Sequence, residues 1–181
     1  LNSWGNPDTL SFDPLPTYRL VVHTLPPVVQ TDLKVTPGVH TVFEIPVPQG
    51  DLELSFSGRR SDYGDLKCIV TSDNCDIVHA QDFGTTERYI EGSYHLEILT
   101  TPRTIIRDVE INADGTTPIA IPAPGTLLLN TSTSGYGGVF LEQNNELTTA
   151  LKFSEGDPSG RYLLQPGKYR LEFRARNARQ T

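Results

Sequence analysis

One phrase recurs three times in this 181-residue chain, and its spacing limits what the chain can fold into. Tyr18-Arg-Leu-Val-Val, Tyr94-His-Leu-Glu-Ile and Tyr169-Arg-Leu-Glu-Phe all read Tyr-x-Leu-x-apolar, at intervals of 76 and 75 residues. Successive side chains leave a β-strand on opposite sides, so this alternation marks a strand with one buried face. The repeat reaches beyond the phrase. Residues 31–54 align with 107–129, matching Asp32 with Asp108, Val35 with Ile111, Thr41 with Thr117, Pro46 with Pro122 and Pro48 with Pro124. Gly50 meets Gly125 after a one-residue slip, Tyr63-Gly64 recurs as Tyr136-Gly137, and Arg88-Tyr89 recurs as Arg161-Tyr162. A period of about 75 residues exceeds a solenoid module and holds its own set of strands.

The pattern predicts strands over 31–36, 41–47, 51–57, 66–71, 76–81, 86–90 and 94–100. They repeat over 107–112, 117–121, 126–132, 138–143, 147–153, 161–164 and 168–175. Fifteen Gly and fourteen Pro spread along the chain supply the turns between such short elements, and no segment carries a helical period. The expected fold is all-β: two tandem β-sandwiches of prealbumin-like or immunoglobulin-like type. Residues 1–27 are expected to be a linker with one orphan strand, residues 28–102 the first sandwich and residues 103–181 the second. The Tyr94 and Tyr169 strands each close a unit. The Tyr18 strand has no unit of its own and points to an upstream neighbour.

Bulk properties exclude some partners. A net charge of −7 and a pI near 5.0 argue against a nucleic-acid partner, which would need a basic face to displace counterions from phosphates. No apolar run is long enough to span a membrane. The absence of Met, even at the start, suggests a mature or excised part of a larger protein.

Cys68 and Cys75 lie in "KCIVTSDNCD". A hairpin there could set them face to face for a disulfide in an oxidising compartment, or they could be two separate small thiols. Their spacing fits neither a redox nor a zinc motif.

No catalytic constellation is legible. Gly-x-Ser-x-Gly, His-Glu-x-x-His, phosphate-binding glycine loops and calcium loops are all missing. Asp73, Asn74 and Asp76 read as a solvated turn. The four histidines, His23, His40, His79 and His95, are scattered, and Asp62/Asp65 and Glu87/Glu91 stand in no context that would raise a carboxyl pKa. No enzyme activity, cofactor or metal is expected. Arg170, Arg174 and Arg176 read as solvent-facing charges on a closing edge strand.

The ordered set "DPLPTYRLVVHTLPP", "QDFGTTERYIEGSYHLEILTTPR", "TTPIAIPAPG", "SGYGGVFLEQNN" and "LQPGKYRLEFR" covers most of residues 13–176. It resembles the C-terminal region of von Willebrand factor A domain proteins of Bacteroidetes-type bacteria, in which small sandwiches follow an A domain. The Asp-x-Ser-x-Ser adhesion motif of the A domain is not present, so its metal-dependent binding transfers to no residue here. The resemblance implies a non-catalytic, extracytoplasmic accessory module whose partner is another protein or an upstream domain of the same polypeptide.

Residues shared by both repeats are explained by turns and core, so binding should lie where the repeats differ. The loops "SGRRSDYGD" and "STSGYGG" make Arg59, Arg60, Tyr63 and Tyr136 candidate contacts. An exposed Tyr beside Gly also suits a sugar, so a carbohydrate-binding module with a glycan partner is the alternative reading. The only Trp, Trp4, is far from both loops in sequence.

Overall fold

The computed structural model describes residues 11–58, 63–156 and 159–176. The protein is all-β, with no helix among these residues. An N-terminal hairpin joins β1 (Tyr18–Val22) to β2 (Val28–Leu33). Seven strands follow: β3 (Gln49–Ser57), β4 (Lys67–Ser72), β5 (Ile77–Asp82), β6 (Thr86–Ile90), β7 (Gly92–Ile98), β8 (Thr104–Ile111) and β9 (Thr116–Pro122). The last five are β10 (Gly125–Leu129), β11 (Gly135–Gln143), β12 (Glu146–Gly156), β13 (Gly160–Leu164) and β14 (Tyr169–Ala175).

Strands β3 to β9 build a complete central sandwich from one sheet ordered β6-β3-β9 and another ordered β5-β4-β7-β8. Alternation along the strands delivers its core. Leu52 and Leu54 of β3, Cys68 and Val70 of β4, Tyr89 of β6, Tyr94, Leu96 and Ile98 of β7, and Val109, Ile111 and Ile121 are all buried in one cluster. Each fully buried Leu or Ile in such a cluster contributes about 1.5–3 kcal/mol.

The C-terminal strands follow the same plan without its last two members. β13 pairs β10 as β6 pairs β3, and the sheet β12-β11-β14 repeats β5-β4-β7. Its core is correspondingly small: Leu129, Val139, Phe153 and Leu164.

Sheet pairing runs out of phase with the sequence repeat. A unit boundary at residue 102 separates β8 and β9 from the strands to which they bond. β8 pairs antiparallel with β7, with Tyr94 opposite Val109 and Leu96 opposite Ile106. β9 pairs parallel with β3, from Asp51–Thr116 to Ser57–Pro122. The N-terminal hairpin likewise copies β7–β8. Its ladder breaks register between Tyr18 and Leu20 as the other does between Tyr94 and Leu96, and Asp32 (φ 59°) repeats Asp108 (φ 55°). Asp tolerates this left-handed conformation better than most residues.

The strand expected over 41–47 does not form. Its counterpart, residues 117–121, lies within β9 because β3 supplies a parallel ladder. Residues 41–48 have a strand-like sequence but no strand to pair with, and they run as irregular chain.

Candidate functional site

The sequence candidates separate in space. Arg59 and Arg60 lie outside the described residues. Tyr63 is partly buried against the central core; its ring stacks on Phe56 with centroids 6.3 Å apart, and its hydroxyl accepts the Thr101 N–H at 3.3 Å. It works as a cover for one end of the sandwich. Tyr136 is exposed, but it stands on strand β11 opposite Arg174 of β14 rather than on a loop. With Gly137, Leu171, Glu172, Phe173 and Arg174 it lines a shallow, open depression. The glycines beside it serve close sheet packing. A Cβ on Gly135 would come within 2.3 Å of the Arg174 carbonyl oxygen, and one on Gly138 within 2.6 Å of the Leu151 oxygen.

The cysteine hairpin forms, yet both thiols are free. Cys68 is buried in β4 directly opposite Gln81, whereas Cys75 is exposed in the turn, with φ 63° and its N–H bonded to the Ser72 carbonyl. Of the two sequence readings, a disulfide or two separate thiols, the disulfide fails on reach. Cys68 sits four residues of extended strand from the turn, about 13 Å, while a disulfide needs Cα atoms within about 7 Å. Burial, with a smaller push from Glu97, raises the Cys68 thiol pKa to about 12.

Gln81, which the sequence did not mark, is among the described residues the one large polar side chain fully inside the central core. Its Nε2 donates to the carbonyls of Leu52 and Thr85 at 3.1 and 3.0 Å, and its Oε1 accepts the Tyr89 hydroxyl at 3.1 Å. Burial pushes the Tyr89 phenol pKa well up. Following the ladders, Phe153 takes the place of Gln81 in the C-terminal strands, and it meets Tyr162 ring to ring at 5.6 Å. A hydrogen-bonded pair has been exchanged for an aromatic one.

The most distinctive arrangement is a joint that the chain builds twice. Thr24 and Thr100 stand at one repeat position, just after the Tyr-x-Leu strand. Each donates its hydroxyl to the carbonyl two residues on, Pro26 or Pro102, at 2.7 Å. Their N–H groups bond back to Val22 and Ile98. Leu25-Pro26 and Thr101-Pro102 are both cis. The turn so formed presents one carbonyl to the next set of strands: Leu25 O accepts the Ile90 N–H at 2.7 Å, and Thr101 O accepts the Gln165 N–H at 2.8 Å.

At each receiving corner a tyrosine hydroxyl closes the structure. Tyr94 donates to the Ile90 carbonyl at 2.8 Å and Tyr169 to the Gln165 carbonyl at 2.6 Å. This is the tyrosine corner of immunoglobulin-like sandwiches, in which a Tyr at the start of a strand bonds a few residues upstream. Tyr18 repeats it with the Asp13 carbonyl at 2.8 Å. Burial, and secondarily Tyr63, raises the Tyr169 phenol pKa. Gln165 itself is buried, and its Nε2 has no partner among the described residues. The joint was visible in sequence as Thr-x-Pro recurring 76 residues apart, inside phrases already recognised as repeats.

Chemistry-bearing side chains do not converge in the same way. His95 Nδ1 accepts the Asp108 N–H at 3.2 Å, while Nε2 stands 4.0 Å from Asp73. Its role is to hold the left-handed Asp108. Among the described residues no group of three or more His, Cys, Asp or Glu is placed to hold a metal ion, and no helix is long and apolar enough to cross a membrane.

The fold therefore defines the class: an all-β protein of several sheets on a β-sandwich plan, with the same joint built twice. Comparison goes no further, since no family model, curated protein or solved structure matches the chain.

Proposed function

We propose that this chain is a non-catalytic, extracytoplasmic accessory module that spaces and presents a neighbouring domain and contributes protein contacts. The suggested setting is a larger von Willebrand factor A-type bacterial protein. The supporting observation is the joint. Leu25 O to Ile90 N and Thr101 O to Gln165 N recur with the same threonine clasp and tyrosine corner, so successive units meet in the same way. A repeated backbone contact suits a device whose output is orientation and distance. A sugar site has less support, because Tyr63 is committed to the core and to Thr101.

The test joins the chain to an A-type domain and measures partner binding with and without it, alongside solution scattering of the chain alone. An extended particle, with partner binding seen only in the fusion, supports the reading. Stoichiometric metal binding or turnover by the isolated chain overturns it.

A further inference from the structure

One sheet changes character between the repeats on its outer side while its inner side is kept. Inward, Val70 and Leu96 of the central sandwich return as Val139 and Leu171. Outward, by ladder position, Lys67 is replaced by Tyr136, Ile69 by Gly138 and Thr71 by Phe140 on β11, while on β14 His95 is replaced by Arg170 and Leu99 by Arg174. The fold needs the inward residues, so the outward exchange is where a function specific to the C-terminal sheet is written.

The exchange assembles two Arg–aromatic pairs. Residues directly opposite on antiparallel strands point to the same side of the sheet, so Tyr136 stands beside Arg174 and Phe140 beside Arg170. Tyr136 and both arginines are exposed. Gly138 separates the two aromatics, and a Cβ on it would come within 3.5 Å of the Phe140 ring, so that ring leans along the strand toward Tyr136. Lys152 of β12, also exposed, lies opposite Gly138. Arg170, Arg174 and Lys152 form no ion pair among the described residues, whereas His95, at the Arg170 position of the central sandwich, is flanked by Asp73 and Asp108. Residues 138–181 hold seven Lys and Arg against five Asp and Glu, while residues 1–137 hold eight against seventeen. The positive charge is therefore local, and at physiological salt the acidic remainder is screened beyond about 8 Å.

Three features select the ligand. Unpaired guanidinium groups suit carboxylates, which they hold through two parallel N–H donors. Aromatic faces are electron-rich and take the C–H face of a pyranose ring. Glu172 lies between the two arginines on the same side, opposite Gly138, and an ionised carboxylate only accepts, so it calls for hydroxyl donors. The side chains of an acidic peptide offer carboxylates without hydroxyls, whereas a uronic acid offers both on one ring. Arg170 and Arg174 are four residues apart on an extended strand, about 13 Å, farther than one pyranose reaches, so the ligand is a chain. We propose that the outward face of β11 and β14 binds an acidic polysaccharide built of uronate sugars. Arg170 and Arg174 hold its carboxylates, Tyr136 and Phe140 support its rings, and Glu172 accepts its hydroxyls. This goes beyond the spacer reading and uses none of the residues of the joint.

Calorimetric titration of the full chain with polygalacturonate, with dextran and poly-L-glutamate as comparison polymers, tests this. Polygalacturonate is expected to bind, more weakly as salt rises, and neither comparison polymer should match it. Arg174→Ala should lower the affinity by about tenfold or more, the scale of one hydrogen-bonded charge. Tyr136→Ala should lower it as well, and both variants should unfold at the unaltered temperature because both side chains are exposed. Arg107→Ala, which removes an exposed cation from β8, is the control and should leave the affinity unchanged. A chain that does not bind polygalacturonate overturns the proposal. So does equal binding of poly-L-glutamate, which would mean that charge alone is read, or equal binding of dextran, which would leave the arginines without a role. Full affinity in both variants overturns it too. Each of these results leaves the spacer reading standing, because that reading rests on the backbone contacts of the two joints.

Discussion

Leu96 and Leu171 occupy one position of the repeated strand, yet Leu96 is fully buried and Leu171 is 45% exposed. Both face inward beside equivalent neighbours: Leu96 lies opposite Val70 of β4, and Leu171 opposite Val139 of β11. Leu96 belongs to the large core cluster of the central sandwich, to which β8 and β9 contribute Val109, Ile111 and Ile121, whereas Leu171 lies outside the small C-terminal cluster. Truncation at the two sites should therefore have unequal effects. Leu96→Ala is expected to destabilise the central sandwich by about 2–5 kcal/mol, the usual range for a Leu-sized cavity. Leu171→Ala should cost less, under about 1 kcal/mol, since nearly half of that surface is already wet. Denaturant unfolding of both variants checks the contrast, and equal losses would contradict it.

The Gln81–Tyr89 pair is satisfied only as a unit. Tyr89→Phe leaves Gln81 Oε1 buried without its donor, an expected loss of about 1–3 kcal/mol. Gln81→Ala removes three hydrogen bonds and opens a cavity, so it should cost more. Thermal unfolding of the two single variants and the double variant gives their coupling energy, which should exceed about 0.5 kcal/mol for groups in contact.

Gln165 offers the opposite case. Its Nε2 is buried without a partner among the described residues, and Ile90 holds the same place at the other joint. Gln165→Ile retains the backbone N–H that Thr101 needs and removes the orphan. The variant should be as stable as the unaltered chain or gain up to about 1 kcal/mol. A clear loss of stability would show that Nε2 has a role.

Gly50 lies where β3 passes the β8–β9 turn. A Cβ there would come within 2.1 Å of the Asn112 carbonyl oxygen, which is backbone and cannot rotate away. Gly50→Ala should displace the turn and lower the melting temperature by several degrees, on the order of 1–3 kcal/mol for an overpacked site. Gly64→Ala, with open space around it, is the control and should have little effect.

The cysteines should differ in reactivity and in their effect on alkaline stability. Thiolate is the reactive form, so a thiol reagent should label exposed Cys75 readily and Cys68 only on unfolding. The folded state holds the Cys68 proton to about 12, whereas an unfolded thiol releases it near about 8.5. Above that lower value the unfolded chain binds fewer protons than the folded one, so stability falls as pH rises between the two. Cys68 contributes at most about 1.4 kcal/mol per pH unit to the slope, and the raised Tyr89 phenol adds to it at still higher pH. Cys68→Ala should lower stability at neutral pH through lost packing and flatten the alkaline slope. An unchanged slope would rule out Cys68 as its source.

Much of the fold was legible because it rests on local alternation. The Tyr-x-Leu strands, the cysteine hairpin and most strand positions follow from the order of apolar, polar and turn residues. The candidate contacts were less legible. Tyr63 and Tyr136 share a Tyr-Gly dipeptide, but one caps the core and the other stands on a strand, because β4 and β11 begin at different distances from it. Gln81 gave no signal, since a Gln in a strand reads alike whether it faces solvent or two carbonyls.

What the sequence determined by itself was the repeat, the strand pattern and the all-β class, each set by neighbours a few residues apart. Which strands complete which sandwich was decided only in three dimensions. Residues 41–47 and 117–123 carry matching sequences, yet only the second segment is a strand, because only it meets a parallel partner in β3. A strand's ladder bonds belong to a segment far away in the chain, so its own residues can permit it but cannot complete it.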